Sequence, residues 1–245
     1  MKSILQKYIQ IERQLLHYLF YLLPQSFRAF FNKKIVFMRN ILRFLLIFIV
    51  MFIFSLPFLF KNKFDYYLQD KGYQAVIDNY KNEVDKYAKK FNLPSSYLLA
   101  LIMLESSGRK NAPYRYEPHI YKKLKLLKEG KIKQFENLKP EDLKGFSNSQ
   151  LKDLASSWGP FQIMGYKTIK MGITIDELKG KNAVYWGIKW INDDYGFLLR
   201  QGKFKDAFHW HNTGKPFPRD GIPQTYDENY VNKGLYYMKV FSKLY

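Results

Sequence analysis

From Tyr97 to Leu104 the chain reads YLLALIML, a run with no polar face. A helix that is apolar on every side must be covered on every side. This segment therefore dictates a globule in which other helices enclose it. Its punctuation is readable. Pro94 suits a first turn, where its missing N–H goes unused, and Ser95 or Ser96 can cap. Gly108 can supply the left-handed residue just past the end. The run then closes on Glu105, in the last turn, where the helix dipole disfavours an anion. Apolar surroundings penalise the same charged form, so both effects push a carboxyl pKa upward. A carboxyl that keeps its proton at the edge of a cleft is equipped for general-acid catalysis. On position alone, a solvated acid at a frayed helix end is the simpler reading. Other residues have to decide.

The N-terminal part indicates a location. Ile41 to Phe60, ILRFLLIFIVMFIFSLPFLF, has about the length that crosses a hydrocarbon layer, roughly 20 residues. Its charge, Arg43, sits near one end and can snorkel. Lys2, Lys7, Arg13, Arg28, Lys33, Lys34 and Arg39 precede it against a single acid, Glu12. The positive-inside rule keeps that side cytoplasmic and exports the chain beyond Lys61. FSLPFLFKNKF holds no small-x-small cleavage site, so an uncleaved anchor is expected rather than a signal peptide. The expected division is a basic cytoplasmic segment over 1–37, a transmembrane anchor over 38–60, a tether over 61–73 and a folded domain over 74–245. Two readings stand for residues 1–37. LLHYLFYLLP can lie along the membrane face, or Met38 is itself the start.

The net charge of +19 implies attraction to polyanions, whether nucleic acid, anionic lipid or an acidic wall polymer. A Lys- and Asn-rich composition can arise from biased coding as well. The sequence has no long Lys/Arg block, no G-x-G-x-x-G, no P-loop and no zinc-finger spacing, so nucleic acid is not an expected partner. Without cysteine there are no disulfides and no thiolate metal sites.

The exported part reads as mainly α. A helix is expected over 74–91 from Ala75, Val76, Ile77, Tyr80, Val84 and Tyr87. The apolar helix follows, then an irregular loop from Ser107 to about Glu117. Residues 119–157 read as a Lys-rich insertion with short helical pieces, one capped by Asn148 or Ser149. IDELKGKNAVYWGIKWINDDYGFLLR and KFKDAFHWHNTG read as two helices, and a last helix follows through Tyr230, Val231, Leu235 and Phe241. No alternating strand pattern stands out.

Three separated blocks then line up in order. FNLPSSYLLALIMLESSGR, SWGPFQIMG and HNTG…YVNKGLYY resemble the lytic transglycosylase domain shared by soluble transglycosylases and goose-type lysozymes. YRYEPHIYKK is similar to a version in phage-type members, where Tyr-Glu-Pro trails the catalytic glutamate. The resemblance spans roughly residues 75–245 and implies a lysozyme-like domain. It places Glu105 on the catalytic acid and Ser106 on the serine beside it. Ser157, Gly159 and Gln162 fall on the second motif, Asn212 and Gly214 on the third, and Tyr230 on a late tyrosine lining the cleft. Pro160-Phe161 replaces Leu-Met, His211 stands where Tyr is usual, and Thr213 where Ala or Gly is. These departures bear on subsite contacts more than on the reaction.

The implied reaction uses one carboxyl. Glu105 protonates the glycosidic oxygen between MurNAc and GlcNAc, then takes a proton from the muramyl C6 hydroxyl as it closes on C1. The product carries a 1,6-anhydro end. The nucleophile is already part of the substrate, so proximity replaces an activated water. Gln162, Asn212 and Tyr230 would position the sugar by hydrogen bonds, where ordinary loop and core packing is the plain alternative. Glu117 stays open: a second carboxyl for a hydrolytic muramidase, a residue that holds its loop through Arg115 or a backbone N–H, or one that positions Glu105. HWH, His209 to His211, does not read as a metal site, because residues two apart on a helix diverge and no third ligand is evident. The expectation is a single-pass inner-membrane enzyme with its domain on the periplasmic side, acting on peptidoglycan strands without metal or cofactor. A muramidase and a non-catalytic wall-binding module are the alternatives.

Overall fold

The computed structural model describes residues 71–245 without a break, together with 45–51 and positions 14, 22, 24 and 25. The chain divides into two units, Met1–Asp65 and Tyr66–Tyr245. In the first unit, residues 45–51 are helical with exposed side chains. Among the described residues no helix is long and apolar enough to cross a membrane. Most of the basic segment over 1–37, of the anchor over 38–60 and of the tether over 61–73 lies outside the described residues.

The second unit is mainly helical, as expected. Helix α1 occupies residues 71–91 and so takes in the last three positions of the expected tether. Within it the Tyr73 ring packs edge-on against Tyr237 and Phe241. Helix α2, Ser95–Ser106, is buried without interruption from Ser96 to Met103. Burial, not capping, starts it: Pro94 is the N-cap residue and no side chain caps the first turn, so neither Ser95 nor Ser96 plays the expected part. At the far end Ser107 is already left-handed, with φ 51°, and its N–H bonds the Met103 carbonyl. Gly108 continues left-handed at φ 72°, and a Cβ there would lie 2.4 Å from the Val76 nitrogen. Only glycine lets the chain turn this close to α1.

The expected irregular loop contains a two-residue strand, β1 (Arg115–Tyr116). It joins β2 (Ser156–Trp158) and β3 (Ile163–Met164) in an antiparallel sheet of order β1-β2-β3. Arg115 pairs with Ser157, and Ser157 with Met164. Between β1 and β2 lie α3 (Pro118–Lys128), a 3₁₀ turn (Pro140–Leu143) and α4 (Asn148–Leu154). Ser147, not Asn148 or Ser149, caps α4: its hydroxyl accepts from the Gln150 N–H and the Gln150 side chain returns the bond. This reciprocal box satisfies two otherwise orphaned N–H groups. The insertion has a core of its own, built on Leu124, Leu127, Leu138, Leu143 and Leu151.

Beyond β3 come α5 (Lys167–Met171), α6 (Ile175–Lys179), α7 (Ala183–Arg200), α8 (Phe204–Thr213) and α9 (Tyr230–Phe241). The segment read as one helix from Ile175 is thus two, broken at Gly180. Helix α9 makes the most extensive packing against α2, and α8 rests on both α7 and α9. The main core gathers α1, α2, α7, α8 and α9 around Tyr97, Leu101, Ile102, Ile188, Tyr195 and Phe208.

Candidate active site

Glu105 stands in the last turn of α2, at the edge of that core. Its side chain is 17% exposed. Burial pushes its carboxyl up to about 7, while a hydrogen bond from Tyr230 and the charge of Arg115 pull the other way without prevailing. Tyr230 opens α9, is buried, and donates its hydroxyl to Glu105 Oε1. The same burial, and the carboxyl it faces, raise the Tyr230 hydroxyl well above its ordinary range, so it stays a donor. Among the described residues nothing bonds Oε2. A proton on Glu105 therefore belongs on Oε2, the oxygen left for an incoming group.

His211, near the end of α8, completes this wall. Its Nε2 lies 3.7 Å from Glu105 Oε1, too far for a hydrogen bond, and 3.1 Å from the Phe161 carbonyl, which accepts one. Its Nδ1 lies 2.8 Å from the Tyr195 hydroxyl. Burial lowers the imidazole to about 4, only partly offset by the Phe161 carbonyl, and Lys167 lowers it further.

A cleft of about 600 Å³ opens beside this group, lined among others by Arg115, Glu117, Gln162, His211, Asn212 and Tyr226. Glu117 is the N-cap residue of α3, and its carboxylate takes Arg115 at 2.8 Å, with His119 at 3.6 Å. Its N–H bonds the Ala155 carbonyl at 2.9 Å, which fixes β1 to the insertion. Glu117 thus bonds Arg115 and ties β1 to the insertion.

Gln162 has a left-handed backbone, φ 48°, in the turn between β2 and β3. Its Oε1 accepts from the Ser157 hydroxyl at 2.8 Å, and its Nε2 donates to Gly159 O at 3.0 Å and Pro113 O at 3.3 Å. The amide thus straps the loop after α2 to the sheet and borders the cleft at once. Pro113 belongs to a second groove of about 840 Å³ that also touches Trp158 and Gly159. Gly159, at φ 74°, could not carry a side chain, since a Cβ would sit 2.1 Å from the Leu178 carbonyl.

The sequence-derived site residues therefore divide. Glu105 and Tyr230 touch each other. Glu117, Gln162 and Asn212 share the cleft, Asn212 with an exposed side chain. Ser157 is buried and acts through Gln162. Ser106 is buried too, its hydroxyl bonded back to the Ile102 carbonyl at 2.9 Å, so it serves its own helix. His211 enters the sequence reading only as a replacement for tyrosine and as part of the HWH run. Its position directly before Asn212 is the available signal that it borders the same cleft. His209 plays a different part. Fully buried, it bonds the Lys215 carbonyl through Nδ1 at 2.8 Å and accepts the Gln224 N–H on Nε2 at 3.0 Å. Among the described residues no cluster of His, Asp and Glu is arranged to hold a metal.

No protein-family model, no curated protein and no solved structure matches this chain. The chemistry of the site rests on its own geometry. A carboxyl that titrates at about 7, with one oxygen steadied by a tyrosine hydroxyl, can give a proton and take one back.

Proposed function

We propose that this chain is a peptidoglycan lytic transglycosylase of the lysozyme-like kind, anchored in the cytoplasmic membrane by residues 38–60 with its domain outside. The observation that carries the reading is the state of Glu105: a carboxyl raised to about 7 by burial, steadied by Tyr230, and next to His211, which lines a cleft. Glu105 Oε2 donates its proton to the oxygen bridging MurNAc and GlcNAc as the C1–O bond breaks. Positive charge spreads over C1 and the ring oxygen. The muramyl C6 hydroxyl then bonds C1 and returns its proton to the Glu105 carboxylate, leaving a 1,6-anhydro end and a free GlcNAc hydroxyl.

Support for a single-carboxyl route over hydrolysis comes from Glu117. A hydrolytic enzyme needs a second carboxylate free to act on a water or on C1. Glu117 is engaged with Arg115 at 2.8 Å. Residues 74–245 carry 29 Lys and Arg against 18 Asp and Glu, and this net positive charge suits an anionic polymer.

Digestion of purified sacculi by the full-length protein and by its Glu105→Gln variant tests the reading, with mass spectrometry of the products. Wild-type protein is expected to release fragments one water lighter than reducing-end fragments, and the variant to release almost none. Reducing ends would make it a muramidase. Binding to sacculi without cleavage by either protein would make it a wall-binding module. Full cleavage by Glu105→Gln would remove Glu105 from the reaction.

A further inference from the structure

The Tyr97–Tyr195–His211 chain behind Glu105 has no part in the proton transfer to and from the sugar. A carboxyl and an imidazole 3.7 Å apart share a proton question. With one proton between them, it can sit on Glu105, leaving both groups neutral, or on His211, leaving an ion pair. Only the first arrangement can donate to a sugar oxygen. We infer that His211 is a positioning residue whose ring is locked by Tyr195 and Phe161 as the neutral Nε2–H tautomer, so that the shared proton stays on Glu105. The inference rests on the transglycosylase reading for its activity readout, though not for the protonation state itself.

The lock follows from donors and acceptors. A carbonyl only accepts, so the Phe161 oxygen fixes the ring proton on Nε2. Nδ1 must then accept, and the Tyr195 hydroxyl donates to it at 2.8 Å. Tyr195 keeps its proton because burial and neighbouring Tyr97 raise it well above its ordinary range. Tyr97 approaches the Tyr195 oxygen at 3.4 Å and orients it to donate forward. Adding a proton to Nδ1 would set it against the Tyr195 hydroxyl proton, inside a wall where the imidazole side chain is only 5% exposed. Lys167, from α5, is a cation that opposes a charge there as well, and Trp190 and Tyr195, from α7, pack against the ring at steep angles. The Phe161 carbonyl and Glu105, from α2, favour an imidazolium, and Tyr230, from α9, already takes one of the carboxyl's oxygens. Asp194 bears on Tyr195 rather than on the ring.

The decisive variant is Tyr195→Phe, which removes the donor to Nδ1 and keeps the packing. It lets the ring take the proton, so Glu105 ionises at lower pH. The fall of sacculus cleavage with rising pH is expected to begin about one pH unit earlier, giving about tenfold less activity above that limb. The double variant Tyr195→Phe/His211→Gln should bring the limb back, since no ring remains to be charged. A merely structural role for Tyr195 predicts no such rescue. Nitrogen-15 spectra of the histidines in the wild-type protein give a readout independent of activity and of any variant's folding. They are expected to show His211 as a neutral Nε2–H ring at pH 6. A charged ring or an Nδ1–H tautomer at that pH, or an unmoved limb in Tyr195→Phe, overturns the inference. Should wild-type protein cleave no sacculi, carbon-13 titration of Glu105 in the same variants reads the same shift and tests the lock apart from the proposed reaction.

Discussion

Two carboxylates stand near one cleft at opposite poles of two helices. Glu105 ends α2, where the dipole is negative and the walls are apolar. Glu117 begins α3, where the dipole is positive and Arg115 lies at 2.8 Å. The first titrates at about 7, and the second is an ion-pair partner. The residue type is the same, and the helix end and the neighbours decide which group can deliver a proton. Under the proposed reading, acid chemistry falls to Glu105 and scaffolding to Glu117.

The sharpest way to break this comparison is to neutralise each acid in turn. Glu105→Gln is expected to lower sacculus cleavage by about 100- to 10,000-fold, the range for loss of a general acid. Glu117→Gln should lower it by less than about tenfold, because a pair whose Arg115 side chain is 65% exposed is worth only ~0–1 kcal/mol. Some loss is expected at higher pH, where an unpaired Arg115 would favour ionised Glu105. Equal losses in the two variants would mean that both acids take part directly, as in a hydrolase.

A smaller effect lies in stability. The folded protein holds the Glu105 proton more tightly than the unfolded chain, with the carboxyl raised from 4.5 to about 7. Stability from this group is fully present below pH 4.5 and is lost as pH rises through about 7. Glutamine cannot ionise and suffers no such loss. Glu105→Gln should therefore match wild type in urea unfolding at pH 4 and exceed it at pH 8.5, by at most on the order of 2–3 kcal/mol. A variant less stable than wild type at pH 8.5 would mean that the buried carboxylate is welcome where it sits. The same site cannot be both a stable home for the anion and a proton donor.

The two sites also differ in how far they are legible in sequence. The buried helix and the unfavourable place of Glu105 follow from the apolar run and its end, which are local features. The partners of Glu105 are not local: Tyr230 is 125 positions away, and the sequence reading points its hydroxyl at sugar rather than at the carboxyl. His211 stays hidden because helical spacing shows which residues share a face, not which helix that face meets. The sheet escapes notice because strands of two or three residues are too short to display a period of two. Its pairing comes from Gly159, Gln162 and the backbone bond between Glu117 and Ala155, all contacts across the sheet or its turn. The cap of α4 falls one residue earlier than expected because several polar residues in a row offer rival caps, and only the reciprocal Ser147–Gln150 bonds choose among them.

Tyr230→Phe probes the smallest difference. Glu117 is set by an ion pair, whereas Glu105 is set by burial with one hydroxyl in attendance. That hydroxyl favours the charged carboxylate and so holds the carboxyl lower than burial alone would. Removing it should move the basic limb of the cleavage profile upward by about one pH unit, in keeping with roughly 1.5–3 kcal/mol for a hydrogen bond to a charged group. Activity at neutral pH should fall only a few-fold, since the acid remains and only its alignment loosens. The direction separates two roles for Tyr230. If the limb moves downward, the hydroxyl had been favouring the protonated acid, and the account of how this carboxyl is poised is wrong at its centre. If it stays in place while substrate affinity drops, the hydroxyl had been serving the sugar.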